Sequence, residues 1–282
     1  MSEILDGKIL AARLKEELSK EIAVLKEKYQ RTPRIVSISF GQHAASQSYI
    51  TSQQRTAESL GINYSLEVWP DSTSLSAAVL GVKKFNDYPD VDGIIINKPL
   101  PEGMDFYTLS NTIVPGKDVE GMNLGNLGML LLNQTRLLPC TPSAALALLK
   151  SSGVSLSGKT AVVLGRSEIV GKPMALLLLQ ENMTVTVCHS KTVDLPSHLS
   201  RAEVVVAAIG KPLFLKGEWI KPGAIVIDIG INQLDGKIVG DIDFNSCKEK
   251  ASYITPVPGG VGPVTSVMLM RNALEAFKLH IK

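Results

Sequence analysis

Cysteine is scarce in this chain. There are three in 282 residues, Cys140, Cys188 and Cys247, far apart and in no C-x-x-C spacing, which excludes a disulfide framework and speaks against a thiolate zinc site. All three are expected to be reduced and structural. The four histidines, His43, His189, His198 and His280, lack metal-ligand spacing as well, so no metal is expected. An excess of one charge is also missing: 29 Lys and Arg stand against 27 Asp and Glu, and the basic residues do not cluster. Nothing therefore indicates a nucleic-acid or membrane-surface partner. Long apolar runs are absent too, since stretches such as "MALLLL" are far too short to span a bilayer. The N-terminal "MSEILDGKILAARLKEEL" is charged and helix-like, without a basic region followed by an apolar one. These absences leave a cytoplasmic protein whose partner is a small soluble molecule.

What is present is an alternation. "RIVSISF" (34–40), a helix over about 45–60, "YSLEVW" (64–69), a helix over about 74–86 and "DGIIIN" (92–97) describe βαβ units and a parallel sheet. After a Pro/Gly-rich passage, "TPSAALALLKSSG" reads as a helix with Thr141 as N-cap, Pro142 at its first position and Gly153 as its stop. A second series follows: "TAVVLG" (160–165), a helix, "TVTVCHS" (184–190), a polar connection, "EVVVAAIG" (203–210) and "AIVIDIG" (224–230). These runs are continuously apolar, as strands buried on both faces are. The fold class is α/β with two α/β domains, hinged near residue 140: a parallel-sheet domain over 1–139 plus 265–282, and a Rossmann-like domain over 140–264. "TPVPGGVGPVTS" (255–266) reads as a rigid loop into a final helix capped by Thr265. Its face of Val267, Met270, Leu274 and Phe277 is suited to return to the first domain.

"VVLGRSEIVGKPMALLL" sets Gly165 and Gly171 between a buried strand and a helix, where a tight turn brings backbone amides and a helix N-terminus to a pyrophosphate. It is not a full G-x-G-x-x-G, and the glycines alone fit an ordinary strand-to-helix turn equally well. The next strand shifts the balance. An NAD site usually carries an acidic residue at its end, whereas this chain has "CHSKT", with Ser190, Lys191 and Thr192, and places Arg166 in the turn. Hydroxyls and a guanidinium suit a 2′-phosphate, so NADP is favoured over NAD. Candidate cofactor-binding residues are Gly165, Arg166, Ser167, Ile169, Ser190 and Thr192. Gly210 and Gly230 end the third and fourth strands at the sheet's carboxyl edge, with Ile231 beside the nicotinamide; for Ile231 alone, core packing is the competing reading.

Taken together, "GRSEIVGKP", "PCTP", "VIDIGIN", "VGDIDF" and "PVPGGVGPVT" resemble the methylenetetrahydrofolate dehydrogenase/cyclohydrolases, from about Pro33 to Asn272. The resemblance implies a homodimer whose N-terminal domain, completed by the C-terminal helix, binds folate in a cleft facing an NADP domain. It also implies two reactions. A hydride passes from the methylene carbon bridging N5 and N10 of tetrahydrofolate to NADP⁺. Water then adds to the methenyl cation and opens it to 10-formyltetrahydrofolate.

Three of the four pieces of the family's folate site depart from its pattern. "YITSQ" stands for the usual Y-V-x-x-K, so Tyr49 is kept while Gln53 replaces the general acid/base lysine. "INKPLP" stands for V-Q-L-P-L-P, placing Asn97 where a glutamine contacts lysine and folate, and Lys98 where a leucine is usual. "KDVEG" stands for K-D-V-D-G, with Glu120 as the carboxylate for the pterin's amino edge. The fourth, the loop with Pro258, Gly259 and Gly260, matches. Tyr49, Gln53, Asn97 and Glu120 are the candidate catalytic residues, and Tyr49, Asn97, Lys98, Glu120 and the loop the candidate substrate contacts. Asp118 and Lys117 read as loop pins.

Hydride transfer asks mainly for alignment of two ligands. Hydration needs a proton carrier, which a desolvated lysine supplies and a glutamine does not. The expectation is dehydrogenase activity with cyclohydrolase activity weak or absent, a separate cyclohydrolase then completing the conversion. Three alternatives stand beside it: full bifunctionality, with Lys98 or water replacing the lysine; an oxidoreductase for another pterin or one-carbon carrier; and a folate- or NADP-binding subunit without turnover. Adjacent strand residues face opposite ways, so with Asn97 toward folate, Lys98 points away.

Overall fold

The computed structural model describes residues 2–41 and 43–281. In chain order it contains β1 (Glu3–Ile4), α1 (Gly7–Tyr29), β2 (Arg34–Phe40), α2 (Ala44–Ser59), β3 (Asn63–Trp69), α3 (Leu75–Asp87), β4 (Gly93–Ile96), α4 (Phe106–Ser110) and α5 (Leu124–Leu131). The second series is α6 (Cys140–Ser151), β5 (Thr160–Leu164), α7 (Gly171–Gln180), β6 (Thr184–Cys188), α8 (Leu195–Leu199), β7 (Val204–Ala207), β8 (Ile225–Asp228), β9 (Asn232–Leu234), β10 (Lys237–Val239), α9 (Phe244–Lys248), β11 (Tyr253–Ile254) and α10 (Val261–His280). The chain divides into two compact units, residues 14–140 with 266–282 and residues 1–13 with 141–265.

In the unit of residues 14–140 and 266–282, β2 lies between β3 and β4 in a three-stranded parallel sheet. Six consecutive β2 residues, Ile35–Phe40, are buried. That is why the strand reads as β-branched and apolar with only serines interrupting: both of its faces are covered. Val36, Ile38, Phe40, Val82, Ile94 and Leu109 form the core on one side. The C-terminal part of α10 completes the unit, with Val267, Met270, Leu274 and Phe277 fully enclosed.

The other unit holds a six-stranded sheet in the order β1-β11-β8-β7-β5-β6, every pair parallel. β7 and β8 are buried at every position, as strands at the centre of a sheet covered on both faces must be. β9 and β10 form an antiparallel hairpin turned by Asp235 and Gly236, both at positive φ (49° and 73°), the backbone that a two-residue Asp-Gly hairpin turn requires.

The structure departs from the sequence reading at four places. Residues 1–13, placed with the first domain from sequence, are grouped with the second sheet, because β1 pairs with β11 and Gly7 N–H donates to the Gly259 carbonyl at 2.9 Å. Thr141 is not an N-cap: α6 starts at Cys140, one residue earlier. Thr265 is not a cap either. α10 starts at Val261, Pro263 is tolerated within its first turn, and the Thr265 hydroxyl donates back to the Val261 carbonyl at 3.1 Å. The connection after β6 carries a short helix, α8, initiated by Pro196.

Candidate functional site

In the three-stranded unit a polar cluster forms where β2, β3 and β4 meet α2. Gln53 is completely buried, although α2 as a whole reads as a surface helix. Its Oε1 accepts from the Tyr64 hydroxyl of β3 at 2.9 Å, while its Nε2 is buried without a partner. One turn earlier, Tyr49 keeps 42% of its surface exposed, but its hydroxyl end is enclosed among Gln53, Glu120, Cys140 and Tyr64. Burial, reinforced by the Glu120 charge, holds that phenol well above the usual tyrosine range. Burial also pushes Tyr64 up to about 12, against the Ser37 hydroxyl beside it. Neither phenol donates its proton to solvent at neutral pH.

At the end of β4, Asn97 is buried and its Nδ2 donates to Ser37 Oγ at 2.7 Å and to the Ile38 carbonyl at 2.9 Å. Its Oδ1 has no partner. Lys98 is exposed, with its Nζ 3.9 Å from the centroid of the Phe106 ring, so neighbouring side chains do face opposite ways. Its charge nonetheless reaches Glu120. Burial, then the nearby Asp118 charge, pushes the Glu120 carboxyl up to about 7, against a backbone N–H from Ile96 and the pull of Lys98.

The loop carrying Glu120 is held from several sides. Lys117 Nζ donates to the carbonyls of Phe85 (3.2 Å), Asn86 (2.7 Å) and Tyr88 (2.7 Å), stopping α3 with a charge where its dipole is negative. Asp118 accepts from Asn123 N–H at 2.7 Å and Asn126 Nδ2 at 2.9 Å. Asn272 of α10 donates to the carbonyls of Val119 (2.8 Å) and Leu138 (2.7 Å). Gly121 sits at φ +70°, where a Cβ would lie 2.4 Å from Leu138 C. Lys117 and Asp118 are thus fully occupied as pins.

In the other unit, a cavity of about 260 Å³ opens at the carboxyl edge of β5, β6 and β7, lined by Gly165, Arg166, Ser167, Ser190 and Lys211 among others. Gly165 has φ +126°, and a Cβ there would come 2.1 Å from the Ala208 carbonyl oxygen, so only glycine permits the turn. Ser167 Oγ accepts from the N–H groups of Val170 (3.2 Å) and Gly171 (3.3 Å), ordering the entry to α7.

Residues 5–120 match the family model for the tetrahydrofolate dehydrogenase/cyclohydrolase catalytic domain, and residues 139–281 the model for the NAD(P)-binding domain of the same enzymes. The chain belongs to the tetrahydrofolate dehydrogenase/cyclohydrolase family. Among relatives of this family, the bifunctional protein FolD of the Wolbachia of Drosophila simulans is 48% identical, covering 98% of this chain and 95% of that protein. Bifunctional protein FolD 2 of Geobacter metallireducens is 44% identical over 99% and 98%. The crystal structure of the Campylobacter jejuni FolD superposes with a TM-score of 0.96 at 39% identity, over 99% of both chains. The Trypanosoma brucei enzyme, solved with NADP cofactor and inhibitor, has a TM-score of 0.93 at 36% identity, over 100% of this chain and 99% of that one.

The donor set fits the family's NADP. An arginine, a lysine and two serine hydroxyls line one cavity beside a glycine turn and a helix N-terminus, which is a set for phosphate oxygens. Thr192 does not line it; its Oγ1 accepts from His189 N–H at 2.8 Å and closes the turn after β6. Ile169 is 39% exposed and Ile231 71% exposed, which rules out core packing for Ile231. Gly210 is exposed, whereas Gly230 is buried against the Asp241 carboxylate, 2.3 Å from where a Cβ would be. Pro258, Gly259 and Gly260 belong to this unit, the last with its carbonyl against Gly7.

Sequence reasoning missed three groups. Tyr64 and Ser37 looked like ordinary strand residues, and only the register of the sheet brings them to Gln53 and Asn97. Asp241 is buried, accepting at Oδ2 from Ile209 N–H (2.6 Å) and Gly210 N–H (3.0 Å), and at Oδ1 from Lys211 N–H and Asn232 Nδ2 (both 2.9 Å). Asp241 stands inside "VGDIDF", and an aspartate in an otherwise apolar stretch is the signal that could have found it.

Proposed function

We propose that this chain is an NADP-dependent methylenetetrahydrofolate dehydrogenase in which hydration of the product is weak or absent, and that it works as a homodimer. The observation that carries the reading is the burial of Gln53 with its carbonyl committed to Tyr64. When bound, NADP⁺ supplies the hydride acceptor. The folate nitrogens release electron density as the bridging carbon loses its hydride, so the oxidation asks no protein group for a proton. Tyr49, Asn97 and Glu120 hold the pterin, and Gln53 adds hydrogen bonds from its amide. Glu120, pushed up to about 7 by burial, accepts from the pterin's amino edge once ionised.

Hydration is a different demand. Water must give up a proton as its oxygen bonds to the cationic carbon, and a ring nitrogen must gain one as the ring opens. An amide titrates at neither step, and Lys98 is exposed over Phe106. Without general acid/base help, hydration falls roughly 10²- to 10⁴-fold. A single trace of the reduced nucleotide at 340 nm and the methenyl chromophore tests this: accumulating methenyltetrahydrofolate is expected, and rapid conversion to 10-formyltetrahydrofolate overturns it.

A second reading, full bifunctionality, is favoured by the bifunctional FolD proteins among its relatives and by a Glu120 carboxyl pushed up to about 7. Under it, hydration is brisk in the native protein and is lost in Glu120→Gln while oxidation persists.

A further inference from the structure

The hydrogen bonds around Gln53 have a direction that can be deduced atom by atom. The Ile38 carbonyl only accepts, so the Asn97 atom facing it at 2.9 Å is the amide nitrogen. The same nitrogen, with its second hydrogen, donates to Ser37 Oγ at 2.7 Å. Ser37 accepts there, and its hydroxyl lies beside the Tyr64 oxygen. Tyr64 in turn has one proton, and the atom it meets at 2.9 Å is Gln53 Oε1. The chain ends on Gln53 Nε2, a buried donor with no hydrogen bond of its own and the Tyr49 hydroxyl nearby, and begins at Asn97, whose Oδ1 is a buried acceptor with no partner.

We propose that Tyr64 is a positioning residue which, backed by Ser37 and Asn97, locks the Gln53 amide so that it turns its N–H edge and no acceptor to the folate. The inference rests on the folate reading of this site and deepens it. The amide stands in for the donor half of a lysine's chemistry, and the ligand must present a lone pair to it, from a pterin nitrogen or carbonyl oxygen. A glutamine free to rotate could turn its oxygen toward an incoming water; this one is held against doing so. Asn97 Oδ1 adds the complementary requirement for a donor on the same ligand. Tyr64 touches neither ligand nor reacting atoms in this scheme and acts only through Gln53.

A double-mutant cycle on the full chain tests it, reading kcat and KM for methylenetetrahydrofolate oxidation in Tyr64→Phe, Gln53→Met and the pair. Tyr64→Phe leaves the amide carbonyl unpaired and the amide free to turn, so KM should rise about 10-fold with kcat little changed. The pair should be no worse than Gln53→Met alone, because Tyr64 has nothing left to position. Ser37→Ala, which cuts the chain one link earlier, should behave like Tyr64→Phe and serves if that variant does not fold, with NADP binding as the check on folding. Losses that multiply, or an unchanged KM in Tyr64→Phe, overturn the inference alone. No oxidation by the native protein overturns the folate reading and this inference with it.

Discussion

At position 53 the chemistry turns on one property of one side chain. An amide can donate and accept, but it has no proton to exchange near neutral pH, so under the proposed function the site retains the means to hold folate and loses the means to ferry protons. Gln53→Lys should therefore raise methenyltetrahydrofolate hydrolysis by about 10²- to 10⁴-fold with oxidation altered far less, read as decay of the methenyl chromophore. Glu120 gives a signed pH dependence. Its carboxyl rises from an ordinary 4.5 to about 7 in the fold, so the folded chain holds that proton more tightly than the unfolded one. The stabilising contribution is complete below about 4.5 and lost as pH rises through about 7. Glu120→Gln, which cannot ionise, should gain in melting temperature relative to the native protein between pH 4.5 and 8. Substrate binding has the opposite sign: KM for methylenetetrahydrofolate should fall as pH rises through about 7, and the variant should lose that inflection. Tyr49 and Gln53 were legible as a pair because helix spacing alone sets them on one face. Tyr64 was not legible, since nothing local says which residue of a neighbouring strand a helix side chain will meet.

Among the elements, the loops at the carboxyl edge of the six-stranded sheet depend on a side chain outside them. Asp241 gathers N–H groups from Ile209, Gly210 and Lys211 and the amide of Asn232 onto its two oxygens. Asp241→Asn must turn its NH₂ toward two donors whichever way it is placed, so two half-buried or exposed donors lose their acceptor. The expected cost is about 1–3 kcal/mol, measurable by urea unfolding, with KM for NADP rising more than kcat falls. The return of α10 to the three-stranded unit rests on apolar contact. Phe277, fully buried and edge-on to Tyr29, should cost about 3–5 kcal/mol on truncation to Ala. Its heptad-like neighbours made that face readable from spacing. The start of the same helix was misread, because Thr265 has the right chemistry for a cap while the residues before it, including Pro263, already hold helical backbone.

For the whole molecule, cofactor binding and stability are linked. A ligand that binds only the folded state stabilises it by about 2.7 kcal/mol at a hundred times its dissociation constant. NADP should thus raise the melting temperature more than NAD at equal concentration, and Arg166→Ala should bring the two shifts together. A homodimer should appear in sedimentation as twice the mass of a 30.3 kDa chain. Among the described residues no helix is long and apolar enough to cross a membrane, and no group of His, Cys, Asp and Glu is arranged to hold a metal. By itself the sequence determined the α/β class, most of the strands and helices, and the glycine turn, because hydrophobic period, turn chemistry and capping act over a few residues. It also determined that position 53 cannot titrate, which is a property of composition rather than of place. Only the tertiary structure decided that residues 1–13 join the second sheet, that Asp241 gathers the N–H groups of residues 209–211 and that the Tyr64 hydroxyl donates to Gln53. Those facts depend on strand register and on contacts between residues far apart in the chain, and no local pattern encodes which partner a buried hydrogen-bonding group will find.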